Sequence, residues 1–128
     1  MSIEKIINDA WENKDQVNPN SDQSLKDTIN QVMSDLDSGK SRVAEKVNGE
    51  WITRQHLKKA IMLSFRIYNM ENLNGPYSSW YDKSHLLKGK TAGWTKEQHE
   101  AAGFRMVPNS PVRKGSYIGQ MLFLCHVT

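Results

Sequence analysis

Apolar residues recur along the first third of the chain at helical spacing. Ile3, Ile6, Ile7, Ala10 and Trp11 fall at i, i+3, i+4, i+7 and i+8, with charged residues between them. One helical face is therefore apolar, and Ser2 is placed to cap the helix start. Asn18-Pro19-Asn20-Ser21 breaks the pattern and offers new caps. A second stripe follows in Leu25, Ile29, Val32, Met33 and Leu36, and Gly39 is placed to end that helix in a left-handed conformation. Both stripes read as core packing.

The stretch from Arg42 to Tyr68 organises the rest. Asn48-Gly49 separates two short runs, Val43 to Val47 and Glu50 to Ile52. Asn-Gly suits a type I′ turn, which needs positive φ at both central residues, so a hairpin is predicted over 42–53. Thr53 is expected to cap a helix in which Leu57, Ala60, Ile61, Ser64, Phe65 and Tyr68 share a face. Met62, Leu63 and Ile67 lie off that face, so the helix is apolar nearly all round beyond Ala60 and calls for cover on more than one side.

From Asn69 to Gly93 the chain is polar, glycine-containing and aromatic without a sustained period. This reads as a long loop with one short turn of structure, Trp80 and Tyr81 anchoring it to the core. Thr95 and Gln98 have capping-box spacing for a short helix ended by Gly103. Phe104 to Val107 is strand-like and stopped by Pro108. Val112, Ile118 and Leu124 stand six residues apart, the spacing with which a hexapeptide β-helix begins. The fold expected is mainly α with a small β-hairpin, an α+β chain.

The 128 residues fit one domain, or one small domain and part of another. A mean hydropathy of −0.67 marks a polar, soluble chain with a modest core. Seventeen basic residues against fourteen acidic ones are interspersed, giving a net charge of +3 and no basic stripe. Nucleic acid is therefore not expected as a partner, and Arg54, Lys58 and Lys59 read as the solvated face of a helix. With Cys125 the single cysteine, an internal disulfide is excluded, and a reducing, cytoplasmic setting is expected. The N-terminus does not read as a signal peptide, and no run is long enough to span a membrane.

Candidate chemistry is sparse. His56, His85, His99 and His126 are scattered without metal-ligand spacing and read as surface or boundary residues, so no metal site is expected. Cys125 reads as a small apolar residue in a strand. No nucleophile elbow, P-loop, dinucleotide fingerprint or paired-carboxylate pattern occurs, and no catalytic residue is assigned. Two arginines sit among apolar neighbours, Arg66 in the helical stretch and Arg105 in the strand. Each needs an anionic partner, either an internal carboxylate or a substrate carboxylate gripped by two parallel hydrogen bonds.

RVAEKVNGEWITRQHLKKAIMLSFRI, the WYDK of Trp80 to Lys83, AAGFRMVP and VRKGSYIG together closely resemble the N-terminal part of the tetrahydrodipicolinate N-succinyltransferases. The resemblance runs in order from the first helix to about Gly119. It implies a helical N-terminal domain, here residues 1–108, ahead of a left-handed β-helix whose linker and first coil would occupy 109–128. It implies a homotrimer with substrate and coenzyme A bound between subunits, tetrahydrodipicolinate and succinyl-CoA as substrates, and no tightly bound cofactor. The family's substrate-binding arginine in GFRxVP falls on Arg105. Arg66 has no such counterpart and stays a structural residue.

Beyond Gly119 the tail from Gln120 to Thr128 departs from the family pattern. For a suitable choice of codons, one inserted A after the Gln120 codon rewrites it as Gln-Asn-Val-Val-Phe-Met-Pro-Cys-Tyr, which matches that pattern. A frameshift that truncates the first β-helix coil is the expectation, and reading the DNA here tests it. The tail as written, with Met121, Leu122, Phe123 and Leu124, would expose apolar surface. The resemblance thus implies an acyltransferase of lysine biosynthesis, incomplete and inactive by itself. The alternative is a non-catalytic interaction module or paralogue that binds intact subunits.

Overall fold

The computed structural model describes residues 1–125; His126 and the last two residues of the tail lie outside them. Three helices make the core. α1 (Ile3–Glu12) begins where the Ser2 hydroxyl accepts the Lys5 amide at 3.3 Å, as expected of a cap. A single 3-10 turn, Lys14–Gln16, leads through the Pro19 turn to α2 (Gln23–Asp37). Gly39 follows with φ +80°, the left-handed ending its position predicted. α3 (Gln55–Ser64) packs on both α1 and α2. Ile7, Ile29, Val32, Leu36, Leu57, Ala60 and Leu63 are the buried residues where the three stripes meet.

α3 differs from expectation at both ends. Thr53 is the last residue of a strand, and Arg54 occupies the N-cap with no side-chain cap bond. The helix stops at Ser64 instead of running to Tyr68, and the Arg66 amide closes a turn onto the Leu63 carbonyl at 2.9 Å. Ending there sends Ile67 back into the core while Met62 stays half-exposed, so the apolar second half is covered on one side only.

Among the described residues the strands form three two-stranded sheets. β1 (Ala44–Val47) and β2 (Glu50–Thr53) form the predicted hairpin, with Asn48 at φ +50° and Gly49 at φ +84°. It projects from the body, and Trp51 is 73% exposed. The expected long loop instead contains a second antiparallel hairpin, β3 (Met70–Asn74) with β4 (Ser79–Lys83), and a short helix α4 (Ser84–Leu87). Its turn is closed by the Gly75 amide on the Ser78 carbonyl at 2.8 Å. The Trp80 ring packs directly on Gly75, where a Cβ would lie 2.5 Å from it. Tyr81 is 70% exposed and Trp80 half-exposed, so these aromatics support the hairpin and do not anchor it to the core.

α5 (Lys96–Ala102) carries the predicted capping box in full: Thr95 Oγ1 accepts the Gln98 amide and Gln98 Oε1 accepts the Thr95 amide. Gly103 ends it at φ +71°. β5 (Arg105–Met106) then pairs in parallel with β6 (Phe123–Leu124). Val112 and Ile118 lie in irregular chain, so the six-residue spacing produces no coil among the described residues. The segment 109–119 is instead a strap laid on the end of α2. Lys90 and Val112 are joined main chain to main chain at 2.9 Å, and the Gly115 amide donates to Asp37 Oδ1 at 2.7 Å. Tyr117 covers Gly39, with the Arg42 guanidinium 4.3 Å above its ring.

Candidate functional site

Arg105 is presented by the turn that ends α5. Gly103 turns the chain, its carbonyl accepts the Met121 amide at 2.6 Å, and Phe104 is buried beside Trp94. Strand alternation then sends Arg105 outward. It was expected among apolar neighbours and in need of a counter-ion; it is in fact exposed. Its amide donates to the Leu122 carbonyl at 2.9 Å, and its register partner is Phe123. Register partners share a face, and the guanidinium lies 4.8 Å above the Phe123 ring. Among the described residues no carboxylate pairs with it. A planar guanidinium resting on an aromatic face keeps its hydrogen-bonding edges open, which suits bidentate capture of a carboxylate.

Arg42 rests on Tyr117 much as Arg105 rests on Phe123, whereas Arg54, Arg66 and Arg113 are engaged by protein oxygens. Arg66 donates to the Lys14 carbonyl at 2.9 Å and lies 3.7 Å from Asp15, which fits the structural role expected of it. Arg54 pairs with Glu45 across the foot of the first hairpin. Arg113, on the strap, meets Asp82 of β4 at 3.1 Å. That pair lines a groove together with the apolar residues Leu73, Trp80, Leu86, Met106 and Val112.

Two features escaped sequence reasoning. Lys90, with a side chain 7% exposed, donates to the Asp37 carbonyl at 2.6 Å and pairs with Asp37 Oδ1 at 3.1 Å. This staple fixes the strap that follows the Arg105 strand. His85 stacks on Tyr68, and burial is the chief reason its pKa falls below the ordinary imidazole value. Neither had a local signal, since both depend on residues far away in the chain. His56 and His99 are half-buried, in keeping with boundary residues, and Cys125 is exposed. Among the described residues no cluster of three metal-ligating side chains occurs, and no helix is long and apolar enough to cross a membrane.

Comparison with known proteins gives this geometry a context. Residues 2–67 match the family model described as tetrahydrodipicolinate N-succinyltransferase N-terminal. The 2,3,4,5-tetrahydropyridine-2,6-dicarboxylate N-succinyltransferase of Pelagibacter ubique is 65% identical over 127 residues, covering 98% of this chain and 46% of that protein. The similarity therefore continues past Gly119. The proteins of the same name from Sodalis glossinidius and Actinobacillus pleuropneumoniae are 44% and 45% identical, over 93% and 94% of this chain and 43% of each relative. The chain thus spans less than half the length of the curated relatives it matches. The matched segment contains α1, α2, the Asn-Gly hairpin and α3, the whole three-helix core, and on that match the chain belongs to the tetrahydrodipicolinate N-succinyltransferase N-terminal family.

Proposed function

We propose that this chain is the N-terminal part of a succinyl-CoA-dependent N-succinyltransferase acting on tetrahydrodipicolinate, in the diaminopimelate route to lysine. The observation that carries the reading is Arg105, an exposed guanidinium seated on Phe123, standing where the family's GFRxVP motif places its substrate arginine. Its role is to hold a carboxylate of the dicarboxylate substrate. Water adds across the C=N bond of the tetrahydropyridine and ring opening frees an amine, which attacks the succinyl thioester carbonyl: a C–N bond forms, the C–S bond breaks, and the amine proton leaves as coenzyme A departs as the thiol. Such a step needs a base for the amine and donors for the oxyanion. We assign both to residues outside this chain, with the coenzyme A site.

In this reading residues 1–108 form the helical domain. Residues 109–128 lead toward a left-handed β-helix, and three subunits assemble around it in the cytoplasm. The strap supports the reading, because it gives the chain leaving the helical domain a fixed course. The test is to fuse this chain to the C-terminal half of the Pelagibacter ubique relative and follow succinyl-CoA-dependent release of free thiol. Activity in the fusion and none in the 128-residue chain is expected. Turnover by the 128-residue chain alone, or an assembled fusion without activity, would contradict it.

A further inference from the structure

His85 opens no route to Arg105 and takes no part in the reaction proposed above, yet its surroundings are unusual. Its ring stacks on Tyr68 with centroids 4.1 Å apart, and Phe65 meets it edge-on at 6.1 Å. Both ring nitrogens are closed to solvent and without a hydrogen-bond partner among the described residues. The Tyr68 hydroxyl is turned away, donating to Asn30 Oδ1 at 2.7 Å. A neutral imidazole leaves one donor and one acceptor unmet here, whereas the imidazolium would leave two donors and a charge.

The charged groups acting on the ring come from two elements. Asp82 and Lys83 belong to β4, and Arg113 and Lys114 to the strap. Asp82 favours the cation and the three basic residues oppose it, while Asp82 is itself paired with Arg113. The segment after α3 contributes Phe65 and Tyr68. Burial is the largest of these influences and favours the neutral ring, and of the four charged groups only Asp82 opposes it.

The ring also occupies a mechanical joint. α4 packs on β3 and β4, and the second hairpin meets the helical core at the Tyr68–His85 stack. The remaining ties at that joint are Ser84 to the Asn69 carbonyl at 2.9 Å and Lys83 Nζ to the Tyr68 carbonyl at 3.0 Å. The geometry points to His85 as a proton-operated latch. Neutral, it seals α4 and the second hairpin against Tyr68 and Phe65. Protonated, it releases them, and with Asp82 the hold on Arg113 of the strap, while the three-helix core stays closed.

Hydrogen exchange on the 128-residue chain tests this, comparing about pH 7.5 with about pH 5.5 after correction for intrinsic rates. Protection of amides in residues 70–87 is expected to fall several-fold at the lower pH, with α1, α2 and α3 unchanged. His85→Phe, which keeps a stacking ring without a titrating group, is expected to hold protection at both values. No pH-dependent loss in the unaltered chain, a loss shared by the helices, or an equal loss in His85→Phe overturns the latch. Should His85→Phe disturb the helices, nuclear magnetic resonance titration of His85 in the unaltered chain decides. A midpoint below about 6.5 with Tyr68 ring shifts following supports it, and a midpoint at or above that value overturns it.

Discussion

A methyl group added at Gly39 would sit 2.6 Å from Cδ2 of Tyr117, on a backbone at φ +80°. Strain and collision act together there, so Gly39→Ala should cost about 1–3 kcal/mol in chemical denaturation. The left-handed ending was legible from the stripe of α2 and the glycine after it; the Tyr117 contact was not, because it joins positions far apart in the chain. Arg105 teaches the same lesson in reverse. Its apolar neighbours Phe104 and Met106 suggested burial, but alternation in a two-residue strand turns it outward onto Phe123. His85 carries a pH dependence of the joint between the second hairpin and the helical core. Its folded pKa is lowered by burial, so the unfolded chain binds the proton more readily. The stability this group contributes is complete above the ordinary imidazole value of about 6.5 and is lost as pH falls from there through the folded pKa. Limited proteolysis within residues 70–87 should therefore quicken on acidification, by less in His85→Phe.

Among the elements, those built on local signals were predicted closely: α1 with its Ser2 cap, α2, the Asn-Gly hairpin, and α5 with its Thr95 capping box. Removing a cap tests this directly, and Thr95→Ala should cost about 1 kcal/mol and fray α5. The sequence does not signal the second hairpin, because Met70–Asn74 is a polar strand rich in residues that disfavour sheets. What holds it is the Leu73–Trp80 cross-strand pair and the packing of Trp80 on Gly75. Periodicity predicts α3 too long, since Ile67 returns to the core through the turn after Ser64 and keeps the apolar spacing. The strap was invisible for a similar reason, its anchor being the distant pair Lys90–Asp37. Lys90→Met should destabilise the chain by about 1.5–3 kcal/mol, the range for a hydrogen bond to a charged group, and should raise hydrogen exchange in residues 109–119.

For the whole molecule, the division of labour follows from where the contacts lie. The helical core buries Ile7, Ile29 and Leu63 fully, and it supports two peripheral pieces, the second hairpin and the strap. Met121 at 95% exposure, with Leu122 and Phe123 beside it, leaves the apolar surface the tail sequence foretold. Arg105 rests on Phe123 of that surface, and the proposed function makes it a substrate ligand for chemistry supplied elsewhere. The most direct measurement is steady-state kinetics of the fused protein with Arg105 and with Arg105→Ala. The account predicts that the substitution raises KM for tetrahydrodipicolinate by about tenfold or more, the loss of a charged hydrogen-bonding pair, and leaves KM for succinyl-CoA unchanged. An unchanged KM for tetrahydrodipicolinate would contradict it.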